Sequence, residues 1–178
     1  MTSWTAPKTW TGSSALTAAE LNEQVRDNTL HLKEQLTGHV AILSSDFTTS
    51  SSTFTNLTGL SFSCTSGVNY NIQVFLTYKH SSTSGGPVIA ANHPGGGLLQ
   101  FMVYSGDTSA VDSVVTQVDA TDSGAGIPTV DTANAVRVIR GWVRYQCTAT
   151  GTFSLRAKVN TAGTLTVEKG SAMTIAND

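Results

Sequence analysis

The sequence is poor in charged residues, and this shortage argues against two classes of protein. Charged residues make up 12% of the 178 positions, and the formal net charge is only −2. Nucleic-acid-binding domains carry a basic face that neutralises phosphates, so we expect neither DNA nor RNA as a partner. Disordered chains combine low hydrophobicity with high net charge, whereas 39% of the residues here are hydrophobic. We therefore expect a folded domain.

Long apolar runs and cysteines are also scarce. No stretch of 18 or more apolar residues occurs, so we expect no membrane-spanning helix. The first residues lack a charged start followed by an apolar run, which predicts that there is no secretory signal. The two cysteines, Cys64 and Cys147, match no zinc or redox spacing. Both fall at inward positions of predicted strands, which favours buried free thiols, with a disulfide between neighbouring strands as the alternative.

Residues that carry chemistry are present, but their spacing does not match known catalytic or metal sites. The histidines include no pair at metal-ligand spacing; they are His31, His39, His80 and His93. A glycine-rich stretch follows His93, yet the Gly-x-Ser-x-Gly elbow that would supply a nucleophile is missing. The acidic residues Asp119, Asp122 and Asp131 do not match an EF-hand. We therefore predict a protein that is not an enzyme and that uses no metal or cofactor.

Serine, threonine and glycine dominate what is present. Serine and threonine together form about a quarter of the sequence, a composition typical of short strands joined by turns. Residues 70–78 alternate strictly, with Tyr70, Ile72, Val74, Leu76 and Tyr78 on one face. Similar patterns predict strands near 54–64, 99–103, 111–118, 139–147, 153–159, 165–167 and 173–175, and exposed loops at 80–97 and 119–134. We expect a mainly β fold in which residues 39–178 form a jelly-roll-like antiparallel β-sandwich.

A capped amphipathic helix is predicted for residues 16–38. Thr17 and Glu20 have the spacing of a capping box, and Leu16 and Leu21 that of a hydrophobic staple. Gly38 provides a C-terminal stop. One narrow apolar stripe runs along the helix; it contains Leu21, Val25, Thr29, Leu32 and Leu36, and its leucines and valine, with Leu16, are the candidate docking residues. This stripe either lies on the β domain or another chain, or it meets copies of itself in a short coiled coil.

An extended arm is predicted for residues 1–15, which are rich in Thr, Ser, Pro and Gly. The arm carries Trp4 and Trp10, with Pro7 between them. Because an exposed indole favours burial, the two rings indicate docking. They pack either on their own β domain or on another chain, and we favour the second interpretation.

One predicted strand carries two arginines around a tryptophan. If Ile139, Val143 and Tyr145 point into the core, then Arg140, Trp142 and Arg144 point outwards. Trp and Arg are enriched at the energetic centres of interfaces, so the three residues form a candidate subunit interface. Stacking of a sugar ring on Trp142 is a second interpretation. A register shifted by one residue, which would bury Trp142, is a third.

Three motifs near the N-terminus resemble a known family. They read WTAPKTW at residues 4–10, LTAAELN at 16–22 and VRDN at 25–28. They are similar to the start of many virion proteins of tailed bacteriophages and prophages, in which a Trp-x-x-Pro-[Lys/Arg]-x-Trp arm precedes Leu-Thr-Ala-x-x-Leu-Asn and Val-Arg-Asp-Asn. A looser similarity to the jelly-roll domains of those proteins covers residues 53–62 and 163–171.

The resemblance implies a structural protein of the virion, of the kind described as head fibre, capsid decoration or minor tail protein and commonly trimeric. Its partners would be itself, as a homotrimer, and the major capsid protein or other virion proteins. The arm with Trp4, Pro7 and Trp10 would attach it. We favour the capsid exterior, because the chain is short and lacks the repetitive shaft of long tail fibres. The alternative is a tail-fibre or tail-tip protein that binds a host receptor or surface glycan.

Overall fold

The fold is known from a computed structural model that describes residues 6, 17–30, 32, 39–95, 99–105, 125–126, 130 and 132–177. The chain divides into two units, Met1–His39 and Val40–Asp178. The described part of the second unit is built from antiparallel strands in two sheets. This architecture confirms the predicted mainly β fold and the antiparallel β-sandwich.

Eleven strands occur in the described residues. They are β1 (His39–Ile42), β2 (Phe47–Thr49), β3 (Thr55–Cys64), β4 (Asn69–His80), β5 (Pro87–Asn92), β6 (Leu99–Ser105), β7 (Ala125–Gly126), β8 (Arg137–Gln146), β9 (Gly151–Val159), β10 (Leu165–Val167) and β11 (Ala172–Asn177). In the larger sheet, β4 pairs with β8 on one side and with β11 and β10 on the other; β6 extends the sheet beyond β8, β1 beyond β11 and β2 beyond β10. The smaller sheet has the order β3-β9-β5-β7.

Alternation along the strands places the core between the two sheets. In β4, the five apolar residues predicted to share one face are all buried, from Tyr70 to Tyr78. The partner strand β8 buries Ile139, Val143 and Tyr145 in the same way. From the smaller sheet, β9 contributes Phe153, which is fully buried. Since successive side chains of a strand point to opposite faces, the same alternation determines which residues point outwards.

Aromatic rings fill one part of this core. The ring centroid of Phe62 lies 5.0 Å from that of Tyr70 and 5.2 Å from that of Phe153. Tyr145 lies 5.4 Å from Phe153. These separations are typical of favourable offset or tilted aromatic pairs, and they join side chains of both sheets. Packing across the sandwich therefore depends on residues that are far apart in the sequence.

A glycine in β3 permits an irregularity in the strand. The pairing of β3 with β9 shifts register between Asn56 and Ser61, and Gly59 within this segment has φ +103°. A Cβ at this position would lie 3.2 Å from the carbonyl oxygen of Ile42. Glycine meets both constraints because it tolerates positive φ and has no side chain.

Two sequence-based expectations about loops need correction. The predicted exposed loop at 80–97 contains β5, which pairs with β9 and buries Ile89, Ala90 and Ala91. The sequence does not reveal this strand, because glycines and serines flank it and its own six residues alternate poorly. In the second predicted loop, Ala125–Gly126 pair with β5 and Val130 is buried. The predicted strand at 111–118 lies outside the described residues.

The helix begins where the sequence predicts. Thr17 is the N-cap, its hydroxyl accepts a hydrogen bond from the Glu20 amide, and the Glu20 carboxylate accepts one from the Thr17 amide. Ala18–Leu21 are α-helical, Asn22–Asp27 have the wider π-helical geometry, and residues 28–30 are again helical. The predicted stop at Gly38 lies outside the described residues. In the part of the chain that the structure describes, no helix has the length and hydropathy to cross a bilayer.

Candidate functional site

The predicted attachment residues lie only partly within the described chain. Trp4, Pro7, Trp10, Leu16 and Leu36 lie outside it. The remaining stripe residues are about half exposed in the single chain: Leu21 by 47%, Val25 by 55% and Leu32 by 49%. A π-helical segment needs more residues per turn than an α-helix, so spacing counted on α-helical geometry does not fix one continuous stripe here. The observed helix therefore exposes these three apolar side chains without the single α-helical row that the sequence predicts.

The residues predicted as a candidate subunit interface point outwards from β8, as the burial pattern of this strand shows. Arg140, Trp142 and Arg144 are exposed, and Trp142 by 49%. The residues between them, Gly141 and Val143, are buried. The structure thus excludes the interpretation in which Trp142 belongs to the core.

Register places Trp142 and Arg144 beside polar side chains of β4, and each row continues onto β11. Trp142 lies opposite Gln73 of β4, which in turn lies opposite Thr174 of β11. In the next row, Arg144 lies opposite Asn71, and Asn71 opposite Ala176. The two rows surround an open depression of about 220 Å³ on the outer face of the larger sheet, with Ile72 and Val143 also contributing to its lining.

The depression results from a change in side-chain size across the sheet. On β8 the outer face carries the large side chains Trp142 and Arg144, while on β11 it carries the small side chains Thr174 and Ala176. Large side chains stand above the sheet plane and small ones leave space beside them. A concave area therefore forms on a sheet face that would otherwise be flat.

The two arginines have different surroundings. The guanidinium of Arg140 lies over the Phe75 ring, 5.9 Å from its centroid, outside the depression. Arg144 lines the depression. Neither takes part in the ion pairs found within the described residues, which join Arg26 to Asp27 and Lys79 to Glu168. The lining includes no acidic side chain, so Arg144 supplies the charge of the depression.

A second group of reactive side chains lies in the interior. Cys64 and Cys147 are buried free thiols, as predicted. Burial, with the neighbouring Cys147 as a further cause, raises the pKa of the Cys64 thiol to about 11. Burial also raises the pKa of the Tyr145 phenol, and the adjacent thiols add to this effect. Because the thiolate is the nucleophilic form, a thiol that stays protonated at neutral pH is unreactive.

The histidines of the second unit are also internal. His80 is fully buried and His93 is 7% exposed, and their Nδ1 atoms contact the carbonyl oxygens of Ser82 and Gly95 at 2.7 and 2.6 Å. Such contacts hold the rings within turns of the backbone. Among the residues that the structure describes, no three His, Cys, Asp or Glu side chains lie close enough to hold a metal ion.

Sequence reasoning found Trp142 and Arg144 but missed the residues that complete the depression. The signal for Asn71 and Gln73 was available, because they occupy the polar positions of the alternating β4 pattern. No local signal could place Thr174 and Ala176 beside them, since that neighbourhood depends on the pairing of β11 with β4.

Comparisons with known proteins gave similarity of fold only. No protein-family model and no curated protein matches the chain. Among solved structures, the chain is similar to that of infectious bursal disease virus strain Gx, with 14% identity, a TM-score of 0.26, and coverage of 78% of this chain and 38% of that one. The Gt strain gives 14% identity, a TM-score of 0.25, and coverage of 79% and 37%. A mutant VP2 protein of the same virus gives 14% identity and a TM-score of 0.23, with coverage of 78% of this chain and 38% of that one. The chain thus spans little more than a third of these viral chains, and the likeness of fold is weak.

Proposed function

We propose that this chain is a structural protein of a bacteriophage particle. In this proposal it is a trimeric decoration or head-fibre protein that the N-terminal arm attaches to the capsid exterior. The major capsid protein is its partner on the particle, and the chain catalyses no reaction. The particle assembles in the host cytoplasm.

The observation that carries the proposal is the exposure of three apolar side chains on the capped helix. Leu21, Val25 and Leu32 are each about half exposed in the single chain. Single exposed apolar residues are common on protein surfaces, so it is the position of these three in the sequence that points to attachment. The segment coincides with the motifs that resemble the start of phage virion proteins, and those motifs include Leu21 and Val25. Burial against a partner would give these side chains the environment they lack alone.

The character of the second unit supports a structural role. Its reactive groups Cys64, Cys147 and His80 are packed in the interior, where a substrate has no access to them. Its exposed positions are rich in Thr and Ser, which suits a domain that projects into solvent. A sandwich of this size buries a continuous core by itself and can project while the N-terminal segment attaches.

Attachment is tested by altering the arm in the phage that encodes the chain. Deletion of residues 1–15 should abolish incorporation into purified particles, measured by quantitative mass spectrometry against the major capsid protein. Trp4→Ala with Trp10→Ala should reproduce the loss, whereas Thr5→Ala with Thr9→Ala serves as the matched control and should not. Normal occupancy of the truncated protein would disprove attachment through the arm.

The trimer is tested by native mass spectrometry of the purified full chain. We expect a mass of three chains, and we expect Leu21→Ser with Val25→Ser to shift it towards one chain. Glu23→Ala, on the same helix, is the control that should leave the trimer intact. A monomer in the unaltered protein at micromolar concentration would contradict this part of the proposal.

A further inference from the structure

The depression beside Trp142 has the features of a small ligand site. The indole of Trp142 is about half exposed, and it offers a flat π surface beside the depression. The C–H faces of a sugar ring are apolar and pack on such surfaces, as other flat rings do. Trp142 is one of the residues that line the depression, together with residues of β4 and β11, so a ligand that stacks on Trp142 would also contact those strands.

Hydrogen-bonding groups of the right type line the rest of the depression. Asn71 and Gln73 carry side-chain amides, each of which has both donors and an acceptor. Thr174 adds a hydroxyl that can donate and accept. Hydroxyl groups on adjacent carbons of a sugar require donors and acceptors side by side. A stacking ring combined with a few placed polar groups matches the usual composition of small-molecule sites.

The charge of the depression indicates which kind of sugar it would bind. The depression contains Arg144 and no acidic side chain. Two residues along a strand span about 6–7 Å, so the guanidinium of Arg144 can reach a substituent of a ring stacked on Trp142. A guanidinium presents parallel N–H donors that fit a carboxylate in a bidentate manner. A carboxylate on the sugar is therefore the group that this site recognises best.

We propose that this depression binds a carboxylated sugar, such as a uronic or sialic acid residue of a surface glycan. Trp142 stacks on the ring, Arg144 pairs with the carboxylate, and the amides of Asn71 and Gln73 bind the hydroxyls. The site gives the chain a binding function in addition to its structural one. It is independent of where the protein is attached, because all of its residues belong to the β-sandwich.

The test uses the purified full chain and two matched probes, trigalacturonic acid and its methyl ester. The two differ in charge but share the same rings. Ligand-observed NMR should show binding of the acid, with affinity about tenfold higher than that of the ester, as expected for a charge-assisted hydrogen bond. Added salt should weaken binding of the acid more than binding of the ester, because salt screens charges near the surface.

Two arginine variants separate a specific contact from general attraction. Arg144→Gln should remove the preference for the acid, so that acid and ester bind alike. Arg140→Gln makes the same change in charge on the same strand face, but Arg140 lies over Phe75 rather than in the depression. Its binding should match that of the unaltered protein. Equal losses in the two variants would overturn the assigned role of Arg144.

Trp142→Ala should abolish detectable binding of both probes without unfolding the domain, which circular dichroism verifies. Retained binding in this variant would overturn the proposal. Failure of the unaltered protein to bind the acid at millimolar concentration would do the same. A change in the oligomeric mass of Trp142→Ala, in place of a loss of binding, would assign this face to a subunit interface and also reject the sugar site.

Discussion

Replacing Phe153 by alanine should destabilise the sandwich far more than the same change at Phe75. Phe153 is fully buried, and its ring lies 5.2 Å from Phe62 and 5.4 Å from Tyr145. Truncation of such a side chain typically costs about 3–5 kcal/mol. Because domains of this kind are stable by roughly 5–15 kcal/mol, the variant loses at least about a fifth of its stability, and all of it at the lower end of that range.

Phe75 is the matched control, because it belongs to the larger sheet but points outwards and is 42% exposed. The guanidinium of Arg140 lies above the Phe75 ring in a cation–π contact, and such contacts contribute about 0.5–1 kcal/mol at exposed sites. The Phe75→Ala variant should therefore lose about 1 kcal/mol.

The two costs are measured by guanidinium chloride unfolding monitored by circular dichroism. Both variants should keep the slope of the unaltered protein, so that the midpoints report stability. On heating, Phe153→Ala should melt roughly 6–20 °C lower, given roughly 2–4 °C per kcal/mol for a chain of this size. Equal midpoints, or a larger loss at Phe75, would refute the inward and outward assignment of the strands.

Three further predictions concern single positions. Thr17→Ala should reduce helix stability by about 1 kcal/mol and lower the helical signal in circular dichroism, while Thr17→Ser should not, because serine also caps. The pKa of Cys64 is raised from 9.0 to about 11, so the folded state keeps the thiol proton at a pH where the unfolded state has released it. The free energy of unfolding should therefore fall as pH rises from 9 to 11. Urea unfolding of Cys64→Ala should show a smaller fall over the same pH range. Gly163→Ala should destabilise more than Gly67→Ala in the same assay, because both glycines have positive φ but only at Gly163 would a Cβ contact His80, at 2.6 Å.

The sequence was informative wherever a structural feature is local. Alternation over residues 70–78 and 139–145 predicted which side chains of β4 and β8 point inwards, and this was correct at each position. The capping box needed only Thr17 and Glu20, and it is present. In these cases the deciding interactions join residues within a few positions of each other.

Features that depend on distant pairing were not predictable. Strand β5 has a short, weakly alternating sequence, and it is held by pairing with β9, more than 60 positions away. The depression requires Thr174 beside Gln73, which only the register of β11 on β4 provides. Local pattern says little about such register, because strand pairing depends on the packing of the whole sandwich.

The proposed position of this protein on a phage capsid is tested most directly by electron cryomicroscopy of the intact particle that encodes this chain. We expect density for three copies of the sandwich on the outer capsid surface, with residues 1–15 against the major capsid protein. The same density should be missing from particles that lack the gene. An unchanged capsid surface, with density lost at the tail or nowhere, would contradict it.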